Sequence, residues 1–279
     1  MRIYKKLDIF PNFDKDMSKK QMKILVSNDD GYNSKGFEVI CNLCSQLGDV
    51  IGIAPKTPQS GKAASLSMVE ILALKKEKSE RVANGNTIDI YSFSGTPVDC
   101  VKIAMNTIFS IQDKPDILVS GINHGINASV AAVYSGTIGA AKEGVIYSIP
   151  SVAFSIDCHL PDADFGGIIA YFPQIMKNIL SNPLREGSFW NINFPNLPTE
   201  EIKGIRFAHQ GKGMWIKEFS ECKRENGESY YKMGGEFTSL EVDKRADHIA
   251  VAEGYIAISP QMIDSTDYTE IERIEKIWK

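Results

Sequence analysis

Short apolar runs alternate with amphipathic stretches along the first two thirds of the chain. KILVS (residues 23–27) reads as a strand, Lys35 to Leu47 carries apolar residues at helical spacing and ends near Gly48, and DVIGIA (49–54) reads as the next strand, closed by Pro55. LSMVEILAL (66–74) and TIDIYSF (87–93) read as strands flanking a charged turn, KKEKSERVANGN. A helix is predicted from Pro97 to about Phe109, with Thr96 as its N-cap and proline at the first helical position. PDILVSGIN contains an apolar strand at 117–119, and Ser135 to Tyr147 reads as a helix of small residues. SVAFSI (151–156) is a strand, Ala163 to Leu180 a helix and FWNINF (189–194) a further strand. Strands that are apolar along their whole length and alternate with helices predict a parallel sheet covered on both faces.

Beyond Pro195 the pattern changes. IKGIRFAHQG (202–211), Met214 to Phe219 and SYYKMGG (229–235) read as strands, with a polar turn at 224–227. They predict a hairpin excursion over about 209–236. GYIAISP (254–260) returns to the body, and Glu270 to Lys279 reads as a terminal helix. The expected organisation is a polar N-terminal extension over 1–21 and a single α/β domain over 22–279.

Composition narrows the functional classes. The 279 residues are 43% hydrophobic and 24% charged, an ordinary globular balance with enough length for a large core. A net charge of −4 gives no electrostatic basis for binding duplex nucleic acid or an anionic membrane. No apolar run approaches the ~20 residues of a membrane span, and the charged N-terminus does not read as a secretory signal. Five cysteines, an odd number, point to a reducing, cytoplasmic compartment. Cys41 and Cys44 form a C-x-x-C, but Phe37, Ile40, Cys44 and Leu47 share one helical face. That spacing makes Cys44 a core residue, and no second cysteine pair completes a zinc site.

In an open parallel sheet, ligands bind at the carboxyl ends of the strands. After the first strand come Asn28, Asp29, Asp30 and Gly31; after DVIGIA comes APKTPQSGKAAS, with Ser60, Gly61 and Lys62. After DILVS come Gly121 to Asn127, including Asn123 and His124, leading to Tyr134-Ser135-Gly136-Thr137 at a helix start. Two acids, a hydroxyl and amide oxygens are hard ligands, suited to Mg²⁺, Mn²⁺ or Ca²⁺. A divalent cation offsets the repulsion between Asp29 and Asp30. Adjacent side chains on a strand diverge, so both acids reach one ion only if the chain turns, which Gly31 permits. The Ser-Gly-Thr helix start offers N–H groups and the helix dipole to an anion, most often phosphate. A metal beside an anion cradle points to phosphoryl chemistry, in which the metal polarises the phosphoryl oxygen and lowers the pKa of a bound water. Taken singly, DD reads as a solvated turn, SGT as a helix cap and His124 as a structural hydrogen-bonder. Their convergence on one sheet edge is what points to a site.

Taken together, ILVSNDDG (24–31), IAPKTPQSG (53–61), SGTPVDCV (94–101), SGINHGIN (120–127) and YSGTIGAAKEG (134–144) resemble the SurE family of survival-protein nucleotidases. NINFPNLP (191–198), IKGIRFAHQG (202–211) and EGYIAISP (253–260) are weaker matches in the same order. The resemblance implies that Asp29, Asp30, Ser60 and Asn123 bind one divalent metal, Mg²⁺ or Mn²⁺, with Asp29, Asp30 and Asn123 in catalysis. It implies that Asn28, Asn127, Ser135, Gly136 and Thr137, with Ser60, surround the phosphate. It further implies a Rossmann-like three-layer αβα sandwich, and homodimers or homotetramers built through the hairpin and a C-terminal exchange. The implied substrates are 5′- and 3′-nucleoside monophosphates, with short polyphosphate in some members. This chain departs from the family pattern at ASVAAV after Asn127, where many members carry a glycine and acids, and at ISPQ, where threonine-proline-leucine is common. The N-terminal extension is unusual as well. Two other readings of the same residues are a non-catalytic nucleotide- or phosphate-binding regulator and a phosphatase in which an aspartate attacks phosphorus to form an aspartyl-phosphate. Occupation of both acids by the metal favours water as the nucleophile.

Overall fold

The computed structural model describes residues 21–160 and 163–278; apart from Gln21, the expected N-terminal extension lies outside them. In chain order the elements are β1 (Met22–Ser27), α1 (Lys35–Cys44), β2 (Gly48–Pro55), β3 (Leu74–Arg81), β4 (Thr87–Phe93), α2 (Pro97–Thr107) and β5 (Ile117–His124). There follow α3 (Ala131–Tyr134), α4 (Gly136–Ile146), β6 (Ser151–Ile156), α5 (Gly166–Ser181), β7 (Ser188–Phe194), β8 (Ile205–Phe207) and β9 (Met214–Ile216). The chain ends with β10 (Phe219–Lys223), β11 (Ser229–Met233), β12 (Glu236–Thr238), α6 (Asp247–Ala252), β13 (Ile256–Met262) and α7 (Tyr268–Glu275).

Among the described residues, nine strands form the central sheet in the order β3-β4-β2-β1-β5-β6-β7-β13-β8. From β4 to β7 neighbours run parallel, whereas β3 and β13 run antiparallel to β4 and β7. Alternate side chains of each strand face opposite ways, and here both faces are apolar. Ile24, Val26, Val119 and Phe154 pack with Phe37 and Ile40 of α1 and with Ile168 and Phe172 of α5. Leu25 and Leu118 point to the other face, against Val101 and Ala104 of α2 and Ala140 of α4. The result is the expected three-layer α/β arrangement. Cys41 and Cys44 are both buried in the first of these layers, and all five cysteines are free. Among the described residues no helix is long and apolar enough to cross a membrane.

The structure corrects the sequence reading at one edge of the sheet. Leu66 to Ala73 is irregular, and the strand begins at Leu74 and runs through the residues expected to form a charged turn. The turn decides this. Val82 and Asn86 pair across Gly85 and bring Arg81 opposite Thr87, so the residues next to the turn, not the apolar ones before it, fall in register with β4. At an edge the charges are no obstacle: Lys76 pairs with Asp89 across the two strands, and Lys75 with Glu77 along β3. Smaller differences lie elsewhere, including the unpredicted short helix α3. Of 202–211 only Ile205–Phe207 is a strand, Met214–Phe219 is broken at Lys217, where φ is +53°, and the short α6 is an addition.

The excursion is a two-stranded arm. β10 and β11 form a hairpin around the turn at 224–228, and β9 pairs with β12 nearer the body. Phe219, Tyr230, Tyr231 and Met233 are exposed along it.

Candidate active site

β1 has β2 on one side and β5 on the other, so the chain order of the sheet reverses beside it. Such a switch point opens a crevice at the carboxyl ends of the two strands. β1 and β5 pair as far as Ser27 and Ser120, and both strands then deliver their polar residues into that crevice.

Beyond Ser27 the chain bends at Asp29 and Asp30, and Gly31 takes a φ of +103°. Asn28 shapes this bend. Its Oδ1 accepts the Gly31 N–H at 3.1 Å, and its Nδ2 donates to Gly31 O and, at 2.9 Å, to Oγ of Ser34, the N-cap of α1. The two carboxylates then reach opposite walls. Asp29 is buried, and its Oδ1 accepts the Thr137 hydroxyl at 2.5 Å from α4. Asp30 Oδ2 accepts the backbone N–H of His124 at 3.1 Å and lies 3.0 Å from His124 Nδ1. His124 therefore holds an acid of the site, and its ring meets Phe165 edge-on at 5.6 Å.

Asn123 follows an irregularity in the pairing of β5 with β6, a feature that re-aims side chains. Its Nδ2 donates to Gly125 O at 2.6 Å. The loop after β2 folds over the same crevice. Gln59 donates its N–H to Asp29 O at 2.7 Å, and Ala63 donates to Tyr134 O at 2.9 Å. Exposed Ser60 thus lies between the acidic bend and the start of α4.

Ser135 caps α4, its Oγ accepting the Ile138 N–H at 3.1 Å. Gly136 packs where a side chain has no room: a Cβ would lie 2.9 Å from both Asp29 Cβ and Pro97 Cγ. Gly136→Ala is therefore expected to destabilise the fold by about 1–3 kcal/mol through overpacking and to displace Asp29, losing activity as well. A thermal melt and an activity assay on one preparation check both effects.

Asn127 is nearly buried and held from several sides. Its N–H donates to Asn193 Oδ1 at 2.7 Å, its Nδ2 to Ser155 Oγ at 2.8 Å, and its carbonyl accepts Asn191 Nδ2 at 2.8 Å. Asn191 and Asn193 were not singled out from the sequence. Their signal was there: two asparagines among Phe189, Trp190, Ile192 and Phe194 of β7.

Electrostatics fit a cation at this point. Burial pushes the Asp29 carboxyl up to about 6, the Thr137 hydrogen bond opposes this, and the Asp30 charge adds to it. Hydrogen bonds of ordinary geometry engage one oxygen of each acid, Asp29 Oδ1 and Asp30 Oδ2, and the amide nitrogen of Asn123. Among the described residues, no hydrogen bond of that geometry engages Asp29 Oδ2, Asp30 Oδ1, Asn123 Oδ1 or Ser60 Oγ, although the backbone N–H groups of Asp29 and Thr137 also steady the Asp29 carboxylate. No group of three or more His, Cys, Asp or Glu side chains suited to a metal occurs among the described residues. The set here is two carboxylates with an amide and a hydroxyl, a donor set for a hard cation.

The family described as Survival protein SurE matches residues 24–217. The chain is 39% identical over 267 residues to the 5′-nucleotidase SurE of Bacteroides fragilis, covering 94% of this chain and all of that one. It is 37% identical over 251 residues to the 5′-nucleotidase SurE of Flavobacterium psychrophilum, covering 90% and 95% of the two chains. A crystal structure of the SurE protein from Aquifex aeolicus superposes with a TM-score of 0.76 at 33% identity, covering 92% of this chain and all of that one. With a family match over most of the chain and relatives alike over nearly their full length, the chain belongs to the SurE family.

Proposed function

We propose that the protein is a 5′-nucleotidase, a phosphoric monoester hydrolase that releases inorganic phosphate from nucleoside monophosphates. The observation that carries this reading is the crevice itself: carboxylate, amide and hydroxyl oxygens gather at the strand ends, and α4 begins against one of them, with Gly136 and Thr137 beside Asp29. Asp29, Asp30, Ser60 and Asn123 would hold one divalent cation, Mg²⁺ or Mn²⁺, which when bound supplies Lewis-acid polarisation of the phosphoryl group and a more acidic water. The chain's own residues supply the rest. Thr137 and His124 fix the two acids by hydrogen bonds, and the start of α4 would offer its dipole and the Gly136 N–H to the phosphoryl oxygens. Ser135 and Asn127 shape that cradle. A site that grips the phosphoryl group does not by itself select a base or a sugar position, so the proposal extends to 3′-mononucleotides and short polyphosphate.

The test is phosphate release from AMP, GMP, 3′-AMP and a short polyphosphate, with Mg²⁺, Mn²⁺ or excess chelator. Release from the mononucleotides that needs the cation supports the reading. Binding without release from any substrate would leave the regulator reading in its place, and a trapped phosphoryl-enzyme would favour attack by an aspartate.

The proposal includes a homo-oligomer, acting in the cytoplasm. A two-stranded arm is marginal on its own, and its exposed Phe219, Tyr230, Tyr231 and Met233 need an apolar surface to cover them. Light scattering at micromolar protein should give a dimer or tetramer. A species at the 30.9 kDa chain mass would overturn this part.

A further inference from the structure

Ser129 sits two residues after Asn127 and six before Ser135, in the segment that joins the two. It is fully buried, and its φ of +52° is sparsely populated by residues with a side chain. Every polar group it has is held by a residue far along the chain. Its N–H donates to Asp247 Oδ1 at 3.0 Å and Oδ2 at 3.1 Å. Its Oγ lies 2.8 Å from His248 Nδ1, and its carbonyl accepts Gln210 Nε2 at 2.9 Å.

Asp247 is the centre of this knot and has no exposed surface. It also accepts the N–H of Gly211 at 2.9 Å and of His248 at 2.8 Å. Gly211 lies so close that a Cβ would come 2.3 Å from His248 Nδ1 and 2.6 Å from Ser129 Oγ. Next in sequence, Val130 donates its N–H to Gly213 O at 3.3 Å, while Phe237 of β12 meets the His248 ring edge-on at 5.5 Å. Residues 210–213 and Phe237 are the root of the arm. The root is thus fastened to the segment that leads into the phosphate cradle, through one buried carboxylate.

We infer that Asp247 is a positioning residue for the reaction: it clasps Ser129 to the root of the arm and so sets Asn127 and Ser135 on either side of it. The inference rests on the nucleotidase reading. Asn127 is held from one side by Asn191, Asn193 and Ser155, and the clasp holds the segment from the other. Stability alone does not call for a carboxylate here, since apolar packing often replaces a buried charge without loss. What the carboxylate adds is geometry, because its two oxygens gather the backbone N–H groups of Ser129, of Gly211 and of its own neighbour His248, joining two distant loops to the start of α6. A displacement of ~1 Å in such a segment costs on the order of 10²-fold in rate.

The experiment uses Asp247→Asn, which keeps the shape but sets an amide N–H against the donors. Its kcat/KM for AMP is expected to fall by about 10²-fold, with inhibition by inorganic phosphate weakened in parallel. Hydrogen exchange should quicken at 128–131 and 210–213 while β1 and β5 keep wild-type protection. Gln210→Ala, which loses a single hydrogen bond to Ser129 O, should show the same pattern to a smaller extent, and it carries the test if Asp247→Asn does not fold. A folded variant with faster exchange there but wild-type kcat/KM and phosphate inhibition overturns the positioning role. Unchanged exchange at 128–131 overturns the clasp. A wild-type protein that releases no phosphate sinks the nucleotidase reading and the catalytic part of this one, while exchange still judges the clasp.

Discussion

Asp29→Asn and Asp30→Asn are each expected to lower phosphate release by at least ~10²-fold, because a bound cation is worth several kcal/mol of transition-state stabilisation and each change would remove a charged ligand of the proposed cation. Chelator should abolish the wild-type activity, and Mg²⁺ or Mn²⁺ should restore it. A second readout separates cation binding from chemistry. A cation that binds only the folded protein raises its melting temperature, and either substitution should remove that rise. In chelator the sign is different for Asp29. Burial pushes its carboxyl up to about 6, from an ordinary value of 3.8. A raised pKa contributes stability at low pH and loses it as pH climbs through 6. Above that pH the uncompensated charge destabilises the fold, so cation-free Asp29→Asn should melt no lower than wild type. Full activity after exhaustive chelation would exclude the cation.

Ser135→Ala tests the cradle against its plainest alternative. The structure shows the cap, Oγ to Ile138 N–H, so a loss of ~0.5–2 kcal/mol of stability is expected in any case. If the cradle also steadies charge developing on the phosphoryl oxygens, losing one such donor costs ~10²–10³-fold in turnover. That loss should fall equally on AMP and GMP, because the contact is to phosphate. Inhibition by inorganic phosphate should weaken with it. The measurement is steady-state kinetics on both nucleotides beside a thermal melt. A variant that melts lower yet turns over both at the wild-type rate leaves Ser135 as a helix cap alone.

The body of the fold was legible because buried parallel strands leave an unmistakable trace: Ile24, Leu25 and Val26 are apolar whichever face they point to. The crevice was legible for a related reason. Residues that interrupt such a trace at strand ends, Asp29, Asp30 and Asn123, must sit at the sheet's edge. What local sequence does not carry is register and long-range pairing. Leu66 to Leu72 has the look of a strand, but the turn at Gly85 sets which residues face β4. Nor does spacing reveal that His124 serves Asp30, or that Asp247 reaches Ser129 across 118 positions. Such bonds join segments brought together only by the completed fold.

The charges of β3 have a consequence at high protein concentration. Among the described residues the nine-stranded sheet ends in two rims, β3 and β8, and each is a template on which another chain could add a strand. One rim carries Lys75, Lys76, Glu77 and Lys78, so a second copy approaching in the same register meets like charge against like charge and loses hydration on both sides. The other rim, β8, is only three residues long and offers too few amides to seed a ladder. Both rims thus carry features that oppose addition of a strand from another copy.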